Sequence, residues 1–580
     1  MAAAGVEVPY GARMAMEPIA LTVRYTGAGA TEAAEEQRDV FAPFETAELA
    51  VEAQFDGEVI EFAATPKAPV RIDFAQVKLR HAFSTDELVL MNGYQSWTDT
   101  REMPAWERMK GLRGVPKGAV SKWALDGGGD YSFVQYTGKR GEQHGFTYAT
   151  FRRDEGMVLV GSLDESHGFT FIREDANAGE VTLETETPPR ELPAGERVVL
   201  GRYAICRGTL DECYDRWFEL SGIQARPVKP LVGYTSWYRH YGDITEEKLL
   251  GDLTEIDTKG TPVVASIGKW AHRMFQIDDG YCKVGDWLDV NKDDFPRGLA
   301  PLTDEVRERG FMPGLWVAPF LCERESRLFE EHQDWLLRDE AGELVRTGPQ
   351  WSGGYALDTL NIEVRSYVLE VLQTMTLEWG FDLLKVDFLF AACMVPHGGR
   401  NRGELMADAM QLLRAGVEDS TLILGCGVPL GSAFGIVDYC RIGCDVGLDW
   451  DDSLYMRGLH RERVSTKLSL RNTRARAPLD GRAFGNDPDV FFLRDDVKLT
   501  EEQRDELLFA NASYGSVLLT SDDKDQWTKH MRRRYNDALR VLCGRFAPEL
   551  LDELNETMPT HGVEPSRGRR FLPFSKGRAK

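Results

Sequence analysis

Two patterns of hydrophobic and polar positions follow one another along the chain, and they predict two kinds of domain. Up to about residue 225, short segments alternate apolar with polar residues and are separated by Gly, Pro, Asn and Asp, which is typical of an antiparallel sandwich. The predicted strands are Ile19–Tyr25, Ala47–Phe55, Val59–Ala64, Val70–Phe74, Gly145–Phe151, Met157–Ser162, Phe169–Arg173 and Arg197–Ile205. A helix is predicted over Leu210–Leu220, and Pro227 and Pro230 then mark a boundary.

Beyond that boundary, apolar strand-like segments alternate with segments of helical spacing. The predicted strands are Leu231–Trp237, Met274–Asp279, Met312–Phe320, Leu383–Phe390, Leu422–Val428, Tyr439–Val446, Ala483–Leu493 and Ser516–Ser521. The predicted helices are Thr245–Ile256, Leu299–Gly310, Arg327–His332, Ile362–Gly380, Gly403–Val417, Leu454–Asn472, Thr500–Tyr514 and Trp527–Leu542. Strand and helix alternate as often as a (β/α)8 barrel requires, over the length such a barrel usually has.

The predicted fold is therefore multidomain, with a β-rich part followed by an α/β part. We expect an N-terminal antiparallel β-sandwich domain at residues 1–225, a (β/α)8 TIM barrel at residues 226–543 and a C-terminal tail at residues 544–580. The tail ends in a basic, Gly-rich stretch and is predicted to be mostly disordered. Within the first domain, the aromatic loop Asn92–Trp97 has two interpretations, a turn with buried aromatic side chains, which is favoured, and a part of the site, and its role is left open.

Charged residues stand at the ends of several predicted barrel strands. In Phe381–Phe390, Lys385 and Asp387 alternate with apolar residues, so both side chains point to the same side of the strand. A structural ion pair would explain these two residues alone. Asp278 and Asp279 end the second predicted strand and Asp445 ends the sixth. Because these strand ends share one rim of a barrel, and barrel active sites lie at that rim, their convergence predicts a functional site.

Metal sites are weaker alternatives. Asp289-x-Asn291-x-Asp293 is faintly similar to a calcium loop but lacks the glycine and the glutamate that such a loop needs at its sixth and twelfth positions. Cys440 and Cys444 have few neighbouring histidines and are interpreted as small packing residues. The sequence therefore predicts no metal and no organic cofactor.

The composition of the chain limits the classes of molecule that it is expected to bind. The chain has 69 Lys plus Arg and 93 Asp plus Glu, a net charge of −24, which argues against nucleic acid and anionic membranes and favours a neutral small molecule. Its 9 cysteines form no CxxC pair, which is typical of reduced thiols. The first residues lack a basic stretch followed by a long apolar one, so we expect no signal peptide and a cytoplasmic location. Whether the chain forms a homo-oligomer is left open.

The predicted barrel resembles the α-galactosidase clan of glycoside hydrolases, families 36 and 27. The β-rich part before the barrel makes the layout more similar to family 36, which includes the melibiases. The resemblance covers about residues 230–530. The segments that carry it, in the order of the family's motifs, are Gly233–Trp237, Ile277–Tyr281, Gly285–Trp287, Phe295–Leu299, Gly314–Pro319, Leu384–Asp387, Arg441–Asp445 and Asn486–Asp489.

The resemblance implies a retaining glycoside hydrolase that removes terminal α-linked galactose by a two-carboxylate double displacement. Asp387 matches the family's nucleophile and Asp445 its acid/base residue. The substrate-binding residues implied are Asp278, Asp279, Lys385, Arg441, Trp237, Trp287, Trp316, Cys426 and Gly427. Within that set, the two aspartates would accept from the 4- and 6-hydroxyls, the lysine and arginine would donate, and the tryptophans would wall the sugar ring.

The fifth predicted strand departs from the family pattern. Gly425–Ser432 reads GCGVPLGS where the family has a Cys-Ser-Gly-Gly-Gly run, and that segment contacts the 2-position of the sugar in relatives. Small residues around Gly427 could leave room for a 2-acetamido group, so an α-N-acetylgalactosaminidase or an α-galactosyl transferase is the alternative. A non-catalytic carbohydrate-binding protein is a third hypothesis, which the presence of both Asp387 and Asp445 disfavours.

Overall fold

The computed structural model describes residues 16–109, 111–112, 128–258, 267–451 and 461–551. The predicted tail lies outside the described residues from position 552 onward, and the last described helix ends at Phe546, a little beyond the predicted domain limit. The domain limits themselves stay a prediction. Within the described ranges, no helix combines the length and the apolar composition that crossing a bilayer requires.

Two antiparallel sheets form the N-terminal part, as predicted. The six-stranded sheet runs, in spatial order, Ala34–Arg38, Met16–Gly27, Val70–His81, Glu180–Thr185, Thr170–Asp175 and Glu142–Phe146. The eight-stranded one runs Phe44–Glu45, Leu49–Phe55, Val59–Pro66, Val198–Gly208, Gly156–Ser162, Tyr148–Arg153, Leu88–Met91 and Glu102–Pro104. Their inward side chains, among them Leu21, Phe62, Val77 and Phe151, form one buried core, so the predicted β-sandwich is confirmed.

The second part is a nearly closed parallel barrel, also as predicted. Its strands in chain order, called the first to the eighth barrel strand below, are Leu231–Thr235, His272–Ile277, Met312–Val317, Leu383–Val386, Leu422–Gly425, Tyr439–Arg441, Gly485–Asp487 and Val517–Thr520. The sheet order places the seventh and eighth at its two edges. The Ser516 amide donates to the Asn486 carbonyl at 2.8 Å, which joins those edges.

Helices cover the outside of the barrel and connect its strands. The described α-helices are Leu210–Ser221, Trp237–His240, Glu246–Thr258, Ala300–Glu308, Arg327–Glu331, Ile362–Gln373, Arg402–Ala415, Leu430–Ala433, Thr466–Ala475, Glu501–Tyr514 and Lys529–Phe546. A π-helical segment, Thr374–Glu378, extends the helix that begins at Ile362, and short 3-10 segments occupy Leu389–Cys393, Ala477–Leu479, Lys524–Gln526 and Pro548–Leu550.

One predicted helix begins later than its sequence pattern indicates. The prediction was Leu454–Asn472, and residues 452–460 lie outside the described part of the chain. The described helix begins at Thr466, with the Ser465 side chain capping the Leu468 amide. The Ser465 amide donates to the Asp445 carbonyl at 2.9 Å. The backbone just before the helix is therefore hydrogen-bonded to the loop after the sixth barrel strand.

Two features outside the barrel wall shape its open end. A small three-stranded sheet, Leu321–Glu323, Arg346–Gly348 and Gly354–Ala356, follows the third barrel strand. The other feature is the loop Asn92–Thr100 of the N-terminal part. The buried guanidinium of Arg476 donates to the Asn92 side chain at 3.0 Å, to the Thr100 hydroxyl at 2.9 Å and to the Ile442 carbonyl at 2.9 Å, so it joins that loop to the sixth barrel strand.

Candidate active site

A cavity of about 520 Å³ lies at the carboxyl ends of the barrel strands. The acidic side chains that line it are Asp278, Asp279, Asp387, Asp445, Glu462, Asp487 and Asp489, and the cationic ones are Lys385 and Arg441. The aromatic ones are Trp97, Trp237, Tyr238, Trp316, Trp351 and Phe388. Apolar walls with a few convergent polar groups are what a small-molecule site requires, and the rim of the barrel is where such sites lie.

Asp387 stands at the end of the fourth barrel strand with its carboxylate held by donors from Trp316, Cys426 and the Phe388 amide. Trp316 Nε1 donates to Oδ2 at 3.0 Å and the Phe388 amide donates to Oδ1 at 2.8 Å. Phe388 has a φ of 52°, a left-handed conformation that is rare for a bulky residue and that is common beside functional groups. Burial raises the pKa of Asp387, and the neighbouring Lys385 charge opposes that rise. The strand end therefore presents a fixed carboxylate to the cavity.

Lys385, two residues earlier on the same strand, is paired with Asp278 from the second strand. Its Nζ lies 2.8 Å from Asp278 Oδ2, and Gln276 Nε2 donates to the same oxygen at 3.0 Å. The charges of Asp278 and Asp387 raise the pKa of Lys385 despite its burial, which acts in the opposite direction. The lysine is thus a cation held by Asp278 and close to the charge of Asp387, with N–H donors beyond the Asp278 contact.

Asp279 is held by a tryptophan that the sequence analysis did not single out. Trp351 Nε1, in the turn of the small three-stranded sheet, donates to Asp279 Oδ2 at 2.7 Å. Burial raises the pKa of Asp279 to about 6, while the Trp351 hydrogen bond opposes the rise and the charge of Asp278 adds to it. Trp351 also contacts Phe388, with ring centroids 5.2 Å apart, so it links the second and fourth strand ends.

Arg441 of the sixth barrel strand lies between two carboxylates. Its Nη2 is 2.6 Å from Asp445 Oδ1 and 2.6 Å from Asp489 Oδ2. The side chain of Asp445 is 41% exposed, whereas that of Asp489 is 6% exposed. Burial lowers the pKa of Arg441, but the charges of Asp489 and Asp445 outweigh it and raise that pKa well above its ordinary value. Asp445 is therefore the one of the pair that reaches solvent and incoming ligands.

Trp97 extends from the N-terminal part into this cavity. Its Nε1 donates to Cys426 Sγ at 3.2 Å, and its ring meets Phe388 edge to face at 5.0 Å. A Cβ placed on Gly427, whose φ is 59°, would come within 2.9 Å of the Trp97 ring. Of the two interpretations of the Asn92–Trp97 loop, the structure supports a part in the site, because the tryptophan forms part of the cavity wall.

The structure brings together most of the residues predicted to bind substrate. Trp237 and Trp316 line the cavity beside the charged groups. Among the described residues of its wall, however, Trp287, Cys426 and Gly427 are absent. Trp287 is fully buried and packs behind Trp316 with centroids 5.7 Å apart, so it supports the wall instead of forming it. Cys426 and Gly427 lie behind Trp97.

Sequence reasoning missed three aromatic residues, Trp97, Tyr238 and Trp351. Tyr238 directly follows Trp237 in a motif that was recognised, and its hydroxyl donates to Asp489 Oδ2 at 2.6 Å. Trp97 and Trp351 lie in loops far from any barrel strand in sequence. The signals available in the sequence were that the loop of Trp97 is unusually aromatic and that the loop of Trp351 is flanked by glycines. Such signals do not predict where a loop lies in the folded protein.

No group of side chains within the described ranges could hold a metal ion. Several carboxylates of the cavity instead pair with Lys385 or Arg441 or accept hydrogen bonds from indole or phenol donors. Such an arrangement can bind hydroxyl groups and supply both a carboxylate nucleophile and a proton donor.

Comparison with known proteins finds similarity to one family over the first part of the barrel. Residues 223–401 match the family model described as melibiase. The α-galactosidase Mel36A of Lactobacillus acidophilus is 32% identical over 167 residues, which are 29% of this chain and 20% of that protein. The α-galactosidase AgaA of Geobacillus stearothermophilus is 30% identical over 161 residues, 27% of this chain and 21% of that protein. These matches take in about a fifth of the length of the curated relatives.

The structural likeness extends much further along the chain. The α-galactosidase TtGalA of Thermus thermophilus, solved with p-nitrophenyl α-D-galactopyranoside, has a TM-score of 0.67 and 26% sequence identity. The superposition covers 86% of this chain and 94% of that one. The resemblance to glycoside hydrolase family 36 that the motifs predicted is therefore confirmed.

Proposed function

We propose that this chain, whose residues 223–401 match the melibiase family model, is a retaining glycoside hydrolase that removes terminal α-linked galactose from oligosaccharides or glycoconjugates. The observation that carries the proposal is the meeting of Asp387 and Asp445 in one cavity at the carboxyl ends of the fourth and sixth barrel strands. Glycoside hydrolysis by this route requires two carboxyl groups that flank the glycosidic bond. The complexes of TtGalA with a nitrophenyl galactoside and with stachyose support the same substrate class.

Asp387 is the proposed nucleophile. Its carboxylate would attack the anomeric carbon and form a glycosyl ester as the bond to the leaving oxygen breaks. The hydrogen bonds from Trp316 and the Phe388 amide fix its direction, and the nearby Lys385 charge favours its ionised form. A carboxylate so oriented needs little reorganisation before attack.

Asp445 is the proposed acid/base residue. It would give its proton to the leaving oxygen, then take a proton from the water that hydrolyses the ester. Its exposed side chain suits that exchange with solvent, while the nucleophile stays buried. Two displacements at the same carbon return the sugar in its original α configuration.

The sugar's 4- and 6-hydroxyls are proposed to bind at Asp278 and Asp279. Asp278 already accepts from Lys385 and Gln276, so the lysine acts chiefly by fixing that carboxylate. Asp279 accepts from Trp351, and an ionised carboxylate has acceptor capacity for further donors. Trp237, Trp316 and Trp97 would pack against the apolar faces of the ring.

The proposed sugar is galactose rather than N-acetylgalactosamine. The case for a 2-acetamido group rested on the space beside Gly427. The Trp97 ring occupies that space, close enough that even an added Cβ would meet it at 2.9 Å. A bulkier 2-substituent would have to displace the indole, so we propose the galactosidase and not the acetylgalactosaminidase.

The test is hydrolysis of three nitrophenyl glycosides, the α-galactoside, the α-N-acetylgalactosaminide and the α-glucoside, by the full chain. We expect kcat/KM to be highest for the α-galactoside. Preference for the acetylgalactosaminide would replace the substrate, and binding of galactose without cleavage of any of the three would favour the carbohydrate-binding hypothesis. Product analysis with melibiose at high concentration would reveal transfer to a second sugar instead of to water. A small-molecule carbohydrate is the proposed partner, and the oligomeric state and cytoplasmic location stay predictions.

A further inference from the structure

Asp489, two residues beyond the seventh barrel strand, has no part in the displacement described above, yet three partners hold its carboxylate. Its Oδ2 accepts from the Tyr238 hydroxyl at 2.6 Å and from the Val446 amide at 2.8 Å, and it pairs with Arg441 at 2.6 Å. Its own amide donates to Asp487 Oδ1 at 2.9 Å. The φ of Asp489 is 75°, which only a few residue types tolerate.

The same nitrogen of Arg441 serves both Asp489 and Asp445, each at 2.6 Å. A carboxyl group whose only charged neighbour is a buried arginine is strongly favoured in its ionised form. The acid step needs the opposite, because Asp445 must hold a proton until the leaving oxygen takes it. The mechanism therefore requires a second group that interacts with Arg441, so that Asp445 does not receive the full stabilisation of the arginine's charge.

We propose that Asp489 is a positioning residue that holds Arg441 as a shared partner and so lets Asp445 carry the proton it donates to the leaving group. Tyr238 also takes part in this arrangement. Its hydroxyl donates a hydrogen bond to Asp489, which would otherwise depend more strongly on the charge of Arg441. The proposal rests on the proposed function, and it assigns a task to the seventh-strand motif Asn486–Asp489.

The electrostatic surroundings agree with a charged Asp489 at neutral pH. Burial raises the pKa of Asp489 to about 6, and the Arg441 charge and the Tyr238 hydrogen bond oppose that rise. The ionisable groups that face it are Arg441 from the sixth strand, Asp445 from the loop after it, Asp487 from the seventh strand and Tyr238 from the helix after the first strand. Above about pH 6 the carboxylate can therefore compete with Asp445 for the arginine.

The decisive variant is Asp489→Asn, compared with wild type in the pH dependence of kcat/KM for α-galactosides. Asn keeps the shape and tolerates the left-handed backbone, while its amide oxygen accepts a hydrogen bond without a charge. Arg441 would then direct its charge to Asp445, which would lose its proton more readily. We expect the alkaline limb of the profile to move down by about one pH unit, a tenfold loss of rate on that limb.

Leaving groups provide a readout that a purely structural role would not change. Melibiose has a poor leaving group and needs the proton from Asp445, whereas a 2,4-dinitrophenyl α-galactoside needs little protonation. On the alkaline limb, Asp489→Asn should lower kcat/KM for melibiose about tenfold and that for the dinitrophenyl substrate less than about threefold. Equal losses on both substrates would overturn the proposal.

Tyr238→Phe tests the same arrangement, and the expected shift of the alkaline limb has the opposite direction. Without the phenol, Asp489 relies more on Arg441, less of the arginine's charge reaches Asp445, and the alkaline limb should move up by a few tenths of a pH unit. This variant keeps the ring packing and decides the matter if Asp489→Asn does not fold. A limb that stays in place, or moves down, would contradict the proposal.

Asp522→Asn is the matched control, because Asp522 is also a buried carboxylate beyond a barrel strand but accepts from Leu493, Arg494 and Trp527 instead. It should lower thermal stability without moving the pH limb, and a comparable shift in this control would overturn the assignment to Asp489. Wild type without α-galactosidase activity would overturn the proposed function and this inference with it. Active wild type with unshifted variants would overturn the inference alone.

Discussion

Trp97 of the N-terminal sheets donates its indole hydrogen to Cys426 beyond the fifth barrel strand, at 3.2 Å. The contact fixes the indole over Gly427 and beside Phe388, so one wall of the cavity belongs to the part of the chain that precedes the barrel. Under the proposed function, discrimination at the 2-position of the sugar depends on a residue that the barrel does not contain.

Trp97→Ala should widen the specificity of the site. Removing the indole opens space beside Gly427, so the ratio of kcat/KM for the α-N-acetylgalactosaminide to that for the α-galactoside should rise at least about tenfold, while the galactoside rate falls. Trp106→Ala is the control, since Trp106 packs on the sandwich core. An unchanged ratio in Trp97→Ala would show that this wall does not face the 2-position.

Asp387→Ala should abolish turnover because no nucleophile remains. Azide should restore cleavage of an activated aryl galactoside and give the β-galactosyl azide, in which one displacement has inverted the configuration. Asp382→Ala serves as control, because Asp382 is at the opposite end of the same strand and pairs with Arg307 at 2.8 Å. Turnover at the wild-type rate in Asp387→Ala would remove Asp387 as nucleophile.

The released galactose should first appear as the α-anomer. Retention requires the Asp387 and Asp445 carboxyls to approach to about 5–5.5 Å in the complex with substrate. Proton NMR of the first product formed from a nitrophenyl α-galactoside measures the outcome directly. Initial release of the β-anomer would indicate inversion and a wider gap that holds a water molecule.

Asp278 and Asp279 should give a preference for α-galactosides over α-glucosides. The 4-hydroxyl is axial in galactose and equatorial in glucose, so fixed carboxylates can accept from only one of the two directions. An unpaired buried acceptor costs roughly 1–3 kcal/mol, which corresponds to about 5- to 150-fold in kcat/KM. Asp279→Asn should lower the ratio, and so should Trp351→Phe, which releases the carboxylate held at 2.7 Å. A wild-type preference for glucosides would show that the sugar has been misassigned.

Asp279→Asn should also stabilise the fold, but only at neutral pH. The folded pKa is about 6 against 3.8 for the ordinary group, so the folded state binds the proton more tightly and loses stability as pH rises from about 4 to 6. Asn removes that penalty, which is at most about 3 kcal/mol. Urea unfolding should show the gain at pH 7 and little of it at pH 3.5. The exposed Asp289→Asn should show no such gain, and a gain in Asp279→Asn that does not depend on pH would contradict the assignment.

The sequence was sufficient for the barrel because its strands are short apolar segments separated by amphipathic helices, a local pattern that survives folding. Lys385 and Asp387 could be placed on one side of their strand from the two-residue repeat alone. The start of the helix at Thr466 could not be predicted in the same way. It depends on the backbone hydrogen bond between Ser465 and Asp445, which are far apart in the sequence.

Partners of the predicted site residues were harder to foresee than their positions. Lys385 was expected to donate to a sugar hydroxyl, and the structure pairs it with Asp278, which is 107 positions away. Trp287 belongs to a recognised motif, yet its burial behind Trp316 follows from the packing of a loop against the third barrel strand. Residue type and strand position indicate that a group is at the rim, whereas the packing around it decides which atoms meet the ligand.

The guanidinium of Arg476, which holds the loop Asn92–Thr100 to the sixth barrel strand, has a consequence for how such proteins can be recombined. Its donors are satisfied by side chains and carbonyls from both parts of the chain, and separation would leave a buried cation without them. A barrel excised at the Pro227–Pro230 boundary would also lose Trp97. The barrel of this chain is therefore not a portable module, and grafting it onto another N-terminal domain requires that the loop be transferred with it.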